Sequence, residues 1–236
     1  MAYDKLKQAL FSVDWNANVK AFLDDDISLA QKMAECNLRL AIWSKQFEEI
    51  DAGNLALPFI REMQLAGSDA VTLTSLSLYK PASAAMRTML ESSLYYTYFR
   101  THPAELATLV RNSEFYVEKS ELLDYHKIHT PNFSERQKVF GLVDKLNKWY
   151  KRISSLAHGQ MPGDWRTHTS LANIQHIKKT LLIVIETFVE AVEIVHNLFI
   201  CTVGGELWND FSSEAKRYLI KGISGENKTI LGLDTA

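Results

Sequence analysis

The chain has 236 residues, 47% of them hydrophobic and 23% charged, with a formal net charge of −2 and a pI near 6.4. That length supports one large domain or two small ones, and that balance is the one of an ordinary soluble globular protein. A protein that coats nucleic acid indiscriminately needs a far more basic balance, so any nucleic-acid contact must be local. Helical periodicity dominates, and no strand-turn-strand run with an Asn-Gly or Asp-Gly turn occurs. Met1 to Leu23 reads as one or two short helices broken near Asp14-Trp15-Asn16. Asp24-Asp25-Asp26 offers N-cap chemistry for a long helix over about 27–50, in which Leu29, Met33, Cys36, Leu40 and Trp43 recur at helical spacing. Asp51-Ala-Gly-Asn54 is a turn, and a helix from about Pro58 to Leu78 places proline at an allowed first position. Lys80-Pro81 breaks the chain, and a very apolar helix from Pro81 to Arg100 ends at Thr101-His-Pro103.

Residues 104–130 are mixed, with one or two shorter helices. Ser134 with Gln137 three residues on has capping-box spacing and opens a single helix reaching His158. Gly159 and Pro162 form a stop, with glycine suited to the left-handed position after the helix. A loop over 160–169 holds Trp165, and a long helix spans about 170–203. In it Leu181, Ile185, Phe188, Val192, Val195 and Phe199 step by four and three, a seam for a helix of the same chain or of another subunit. Gly204-Gly205 ends that helix, a short one follows near 213–220, and the remaining tail reads as mobile. The expected fold class is all-α. It is a single-domain helical bundle over 1–236 with long antiparallel helices, short N-terminal helices (about 1–25) and a C-terminal extension (about 204–236).

Cys36 and Cys201 lie far apart in apolar helical patterns and read as buried reduced thiols. Neither Cys-x-x-Cys nor His-Glu-x-x-His occurs, so a structural zinc site is not expected. The N-terminus lacks the apolar core of a signal peptide. Glu186, Glu190, Glu193 and His196 interrupt the most apolar stretch and argue against a membrane span, so the expected address is the cytoplasm.

The chemistry concentrates before Gly159. From Ser134 to His158 six cations (Arg136, Lys138, Lys145, Lys148, Lys151, Arg152) face two anions (Glu135, Asp144) in a net acidic chain. This is a solvated face or a track for a polyanion. Arg152 offers a permanent planar charge for phosphate oxygens, and His158 a proton-transfer group suited to neutral pH. On one straight helix they stand about 120° apart, so they do not share a face. Tyr150, Ser154 and His158 do, and Lys151 and Ser155 lie close to His158. Elsewhere, His126 and His129 have the spacing of a metal pair with no evident third ligand. His168 and His176 flank a helix start, and His196 reads as a core residue. Arg87 and Glu91 read as an internal ion pair and, second, as a possible site wall. Tyr95, Tyr96, Tyr98 and Phe99 read as core.

The Arg152-x5-His158 motif in the run from Trp149 to Gly159, with the apolar helix Ala82 to Tyr98, resembles the HEPN superfamily over roughly residues 27–203. The resemblance implies an all-α bundle, often a homodimer in which two Arg-His motifs meet in one cleft. It implies a metal-independent endoribonuclease without cofactor, of a kind that acts as a toxin or in antiviral defence. Arg152 would hold the scissile phosphate, and His158 would move protons during attack by the RNA 2′-hydroxyl. Lys145, Lys148, Lys151, Tyr150, Ser154 and Ser155 would bind substrate. Active members often carry a polar residue directly after the arginine, where this chain has Ile153. That departure suits the alternative, a catalytically inactive HEPN-like module that binds a partner protein, such as an antitoxin, or a nucleotide.

Overall fold

The computed structural model describes residues 1–24 and 27–233, and these form an all-α fold without strands. Two short helices, α1 (Ala2–Ser12) and α2 (Trp15–Asp24), precede the long α3 (Ile27–Ile50). Asp25 and Asp26, read above as capping residues, lie outside the described residues. The apolar stripe of α3 is buried as its spacing predicts. After the 51–54 turn comes α4 (Leu57–Ser75), with Pro58 in its first turn where no intrahelical N–H is needed. Gly67 lets α4 press onto α3: a Cβ there would sit 2.5 Å from Leu40 Cδ1, and Leu40 is fully buried.

The break after α4 falls earlier than Lys80-Pro81. Leu76–Leu78 turn the chain, Ser77 adopts φ +61°, and α5 (Tyr79–Phe99) already contains Pro81 in its first turn. Two short helices follow, α6 (Pro103–Arg111) and α7 (Lys119–His129). The segment read as one helix from Ser134 is two, α8 (Phe133–Phe140) and α9 (Leu142–Ala157), divided at Gly141 with φ +60°. Asn132 in the left-handed region precedes α8, and Ser134 is inside it, so the Ser134–Gln137 capping box is not formed.

The last long helix, α10 (Lys178–Cys201), starts eight residues later than its periodicity suggests. The backbone N–H groups of His176 and Ile177 go instead to Asn18 Oδ1 and Tyr79 Oη, at 2.9 and 3.2 Å. Gly204 does not end α10 but opens a short α11 (Gly204–Leu207). The chain closes with α12 (Ser213–Leu219) and α13 (Gly225–Leu231). The tail read as mobile is packed as far as Leu233: Leu231 and Leu233 are fully buried, and α13 lies on α8.

The six seam residues of α10, Leu181 through Phe199, are each at most 1% exposed. They are spent on α3, α5 and α9 of the same chain, so this seam is not available to a second subunit. At the centre Trp43, Phe47, Tyr96 and Phe199 join α3, α5 and α10, with Phe47 4.8 Å from Tyr96 and 5.0 Å from Phe199 between ring centres. His196 belongs to this core and accepts the Trp43 indole N–H at 3.1 Å on Nδ1. Cys36 and Cys201 are buried and unpaired, and burial raises both thiols, Cys36 to about 11 and Cys201 to about 12. Among the described residues no helix is long and apolar enough to cross a membrane.

Candidate functional site

α9 has the strongest amphipathic pattern, and its rotation decides what its polar residues can meet. Leu142, Leu146, Trp149, Ile153 and Leu156 form the buried stripe. It sits in the seam between α5 and α10. Residues at about 100° steps then divide into two flanks. Tyr150, Ser154 and His158 stand on the flank toward α5, and Arg152 stands on the flank toward α10.

On the α10 side the contacts are fixed. Trp149 donates its indole N–H to the Thr187 carbonyl at 3.0 Å, and Arg152 donates to Thr187 Oγ1 and to Glu190, both at 3.1 Å. Arg152 therefore turns away from His158, and the two do not form a pair within one chain. Ile153, the departure from the HEPN pattern, is fully buried in the stripe.

On the α5 side, α9 ends in two reverse hydrogen bonds, Gly159 N–H to the Leu156 carbonyl and Gln160 N–H to the Ser155 carbonyl. Gly159 takes φ +74°, which glycine adopts without a Cβ penalty, as its position after the helix predicts. This closure leaves His158 exposed as the residue that caps the helix C-terminus, with its ring against α5. There the Arg87 guanidinium donates through Nη1 to His158 Nε2. Arginine has no acceptor, so in this contact Nε2 is the accepting atom.

Arg87 is held by more than the histidine. Its Nε and Nη2 both reach Glu91 Oε1, at 2.9 and 2.8 Å, and Nη2 donates to Tyr150 Oη at 3.1 Å. Tyr150 in turn donates to the same Glu91 oxygen at 2.5 Å. The Arg87–Glu91 pair is thus formed as its spacing suggests, but half-buried rather than internal. Burial opposes the charge on Arg87, and Glu91 followed by Tyr150 outweighs it, so the arginine pKa rises. Burial and then Glu91 push the Tyr150 hydroxyl up and keep it protonated.

Beside this cluster opens a cleft of about 540 Å³ walled by Arg87, Glu91, Tyr95, Tyr116, Lys119 and Tyr150. Lys119 lies 5.1 Å over the Tyr150 ring and donates to Asn147 of α9. Burial pulls its ammonium below the ordinary value. Lys80 ties the loop after His158 to α5 through the Met161 carbonyl, at 3.3 Å.

Of the residues picked out from the sequence, the fold gathers Tyr150 and His158 around Arg87. Ser154 lies between them, with its Oγ enclosed and without a hydrogen-bond partner. Lys145, Lys148 and Lys151 are exposed on the outer face, and Ser155 donates to the Lys151 carbonyl at 3.0 Å. The sequence reading missed Lys119 and Asn147, and it gave Arg87 no link to His158. The one local signal was the shared phase of Tyr150, Ser154 and His158. His126 and His129 do not make a metal pair, because both ring nitrogens of His126 are engaged by Thr97 and Thr130, at 2.9 and 2.8 Å. Among the described residues no group of three His, Cys, Asp or Glu side chains is placed to hold a metal ion. No family model matches the chain, and no curated protein or solved structure matches it either.

Proposed function

We propose that the chain is a metal-independent endoribonuclease whose site is the Arg87–His158 contact at the mouth of the α5–α9 cleft. The observation that carries this reading is the contact in which His158 Nε2 accepts from Arg87. An RNA phosphate approaching Arg87 competes for that guanidinium N–H and uncovers the Nε2 lone pair. The freed nitrogen takes the proton of the neighbouring 2′-hydroxyl. The 2′-oxygen bonds to phosphorus, the P–O5′ bond breaks, the departing O5′ takes a proton from water, and the His158 imidazolium returns its proton to the hydroxide so formed. The products are a 2′,3′-cyclic phosphate and a 5′-hydroxyl end. In this scheme Arg87 takes the phosphate-clamping role that the HEPN resemblance gives Arg152. Glu91 and Tyr150 hold Arg87 in place, and Lys145, Lys148 and Lys151 attract the backbone of the strand. A homodimer would place two such sites together, and a role as toxin or antiviral effector is the setting the resemblance suggests.

A specific observation favours the competing reading, a catalytically silent module that binds a partner protein or a nucleotide. Both guanidinium groups near the site already carry carboxylate partners, Arg87 with Glu91 and Arg152 with Glu190. The deciding experiment incubates purified protein with mixed RNAs in EDTA and analyses the product ends. Cleavage leaving cyclic phosphates, lost in His158→Ala, supports the enzyme. No cleavage by the wild type with any RNA, alone or with a triggering partner, replaces it with the binding module.

A further inference from the structure

A second cavity, of about 420 Å³, lies at the other end of α7 from the cleft. Its walls come from the ends of α5, α7 and α10 together with α8 and α11. Thr97 and Arg87 stand ten residues apart on α5, about 15 Å of helix, so this cavity is separate from the His158 site.

Most polar groups of the wall are already satisfied. Arg100 is almost enclosed and bound by Asp51 at 3.3 Å and Glu206 at 2.6 Å, so its charge is balanced. Thr97 gives its hydroxyl proton to the Leu94 carbonyl and therefore accepts from His126 Nε2. Burial, with a smaller push from His102, lowers the His126 pKa to about 4, so the ring is neutral and its Nδ1 accepts from Thr130. The His126 wall is thus rigid and uncharged. Tyr125 and His129 add ring surface, 4.9 Å apart.

Arg136 is the exception. Its Nε–H is enclosed and has no hydrogen-bond partner, and among the described residues no carboxylate pairs with it. An enclosed charged donor without an acceptor is costly, more so than a neutral one. Gly232 lies against the guanidinium, where a Cβ would come within 3.1 Å of Nη2. The guanidinium edge that remains offers parallel N–H groups, the fork that receives carboxylate or phosphate oxygens.

We infer that this cavity is a binding site for an organic oxyanion, a carboxylate or phosphate held by the Arg136 fork with its body against Tyr125 and Val203. The volume lies in the range of small-ligand pockets and leaves room beyond the anionic group itself. The inference does not depend on cleavage at His158.

The test follows the Arg136 side-chain Nε–H resonance in the wild type, and the backbone amide resonances of Tyr125 and Val203 in the wild type and all variants, in the ¹⁵N-labelled 236-residue protein during titration with phenyl phosphate, benzoate and the neutral benzamide at constant ionic strength. A saturable shift with either anion and none with benzamide is expected, and the tighter of the two identifies the oxyanion class. Arg136→Met should bind at least tenfold more weakly, and His158→Ala should bind as the wild type does. Because Arg136→Met removes a partly enclosed side chain, Arg136→Lys serves as the second variant, keeping the charge and losing the fork. No shift with either anion, or equal binding by wild type and both variants, overturns the inference.

Discussion

Tyr150 and Arg152 stand two residues apart on α9 and grip different helices, Tyr150 reaching Glu91 of α5 and Arg152 reaching Glu190 of α10. Two steps of 100° put them on opposite flanks of the buried stripe. His158, eight residues after Tyr150, shares its flank and so meets Arg87 rather than the arginine six residues before it.

The first prediction separates the two arginines. Under the proposed cleavage, Arg87→Ala should lower kcat/KM for RNA about 100-fold or more, comparable to His158→Ala, because clamp and proton carrier would act in the same transition state. Arg152→Ala should cost far less in activity. It should cost about 0–1 kcal/mol of stability, since its pair with Glu190 is half-exposed. Steady-state kinetics on one defined RNA decides the order, and an Arg152 variant as crippled as His158→Ala would restore the pairing read from the motif.

Gly159→Ala meets no atom within 4 Å, so only the left-handed backbone opposes it. The expected cost is about 1–2 kcal/mol. Because Gly159 closes the helix under His158, cleavage should fall by more than the fraction unfolded accounts for. Urea denaturation and activity measured on the same sample check this.

Gly67→Ala should destabilise by about 1–3 kcal/mol through overpacking, since the new methyl collides with a fully buried Leu40. The double variant with Leu40→Ala should lose less than the sum of the two single losses, the mark of a shared contact. Denaturant midpoints of the four proteins test it.

Acid should weaken the fold through its buried histidines. Burial, aided by His102 and by Arg39, lowers His126 to about 4 and His196 to about 3, against 6.5 for the free side chain. The unfolded chain therefore binds more protons than the folded one below pH 6.5. Stability is full above that value and falls as pH drops toward 4 and 3. His196→Leu should flatten part of this slope. It should also cost about 1–3 kcal/mol at pH 7, because the Trp43 indole N–H loses its acceptor. Thermal melts from pH 7 to pH 4 on both proteins measure the two effects.

What the sequence by itself determined is what depends on near neighbours. The α3 boundaries, the 51–54 turn, the stop at Gly159, the burial of the α10 seam and the all-α class follow from periods of three and four and from residues with special backbone freedom. These signals act within one or two helical turns. Only the tertiary structure decided the rest. Asn18 and Tyr79 take the N–H groups of 176–177 and shorten α10 from a distance of 98 residues or more. The seam on α10 states that a helix packs there but not whose, and it is satisfied within the chain. The partner of His158 is settled in the same way. Helical phase excludes Arg152 and aligns Tyr150, Ser154 and His158. Arg87 becomes the partner only when α9 settles between α5 and α10, a docking driven by its buried stripe, which carries no mark of which cation waits on the neighbouring helix.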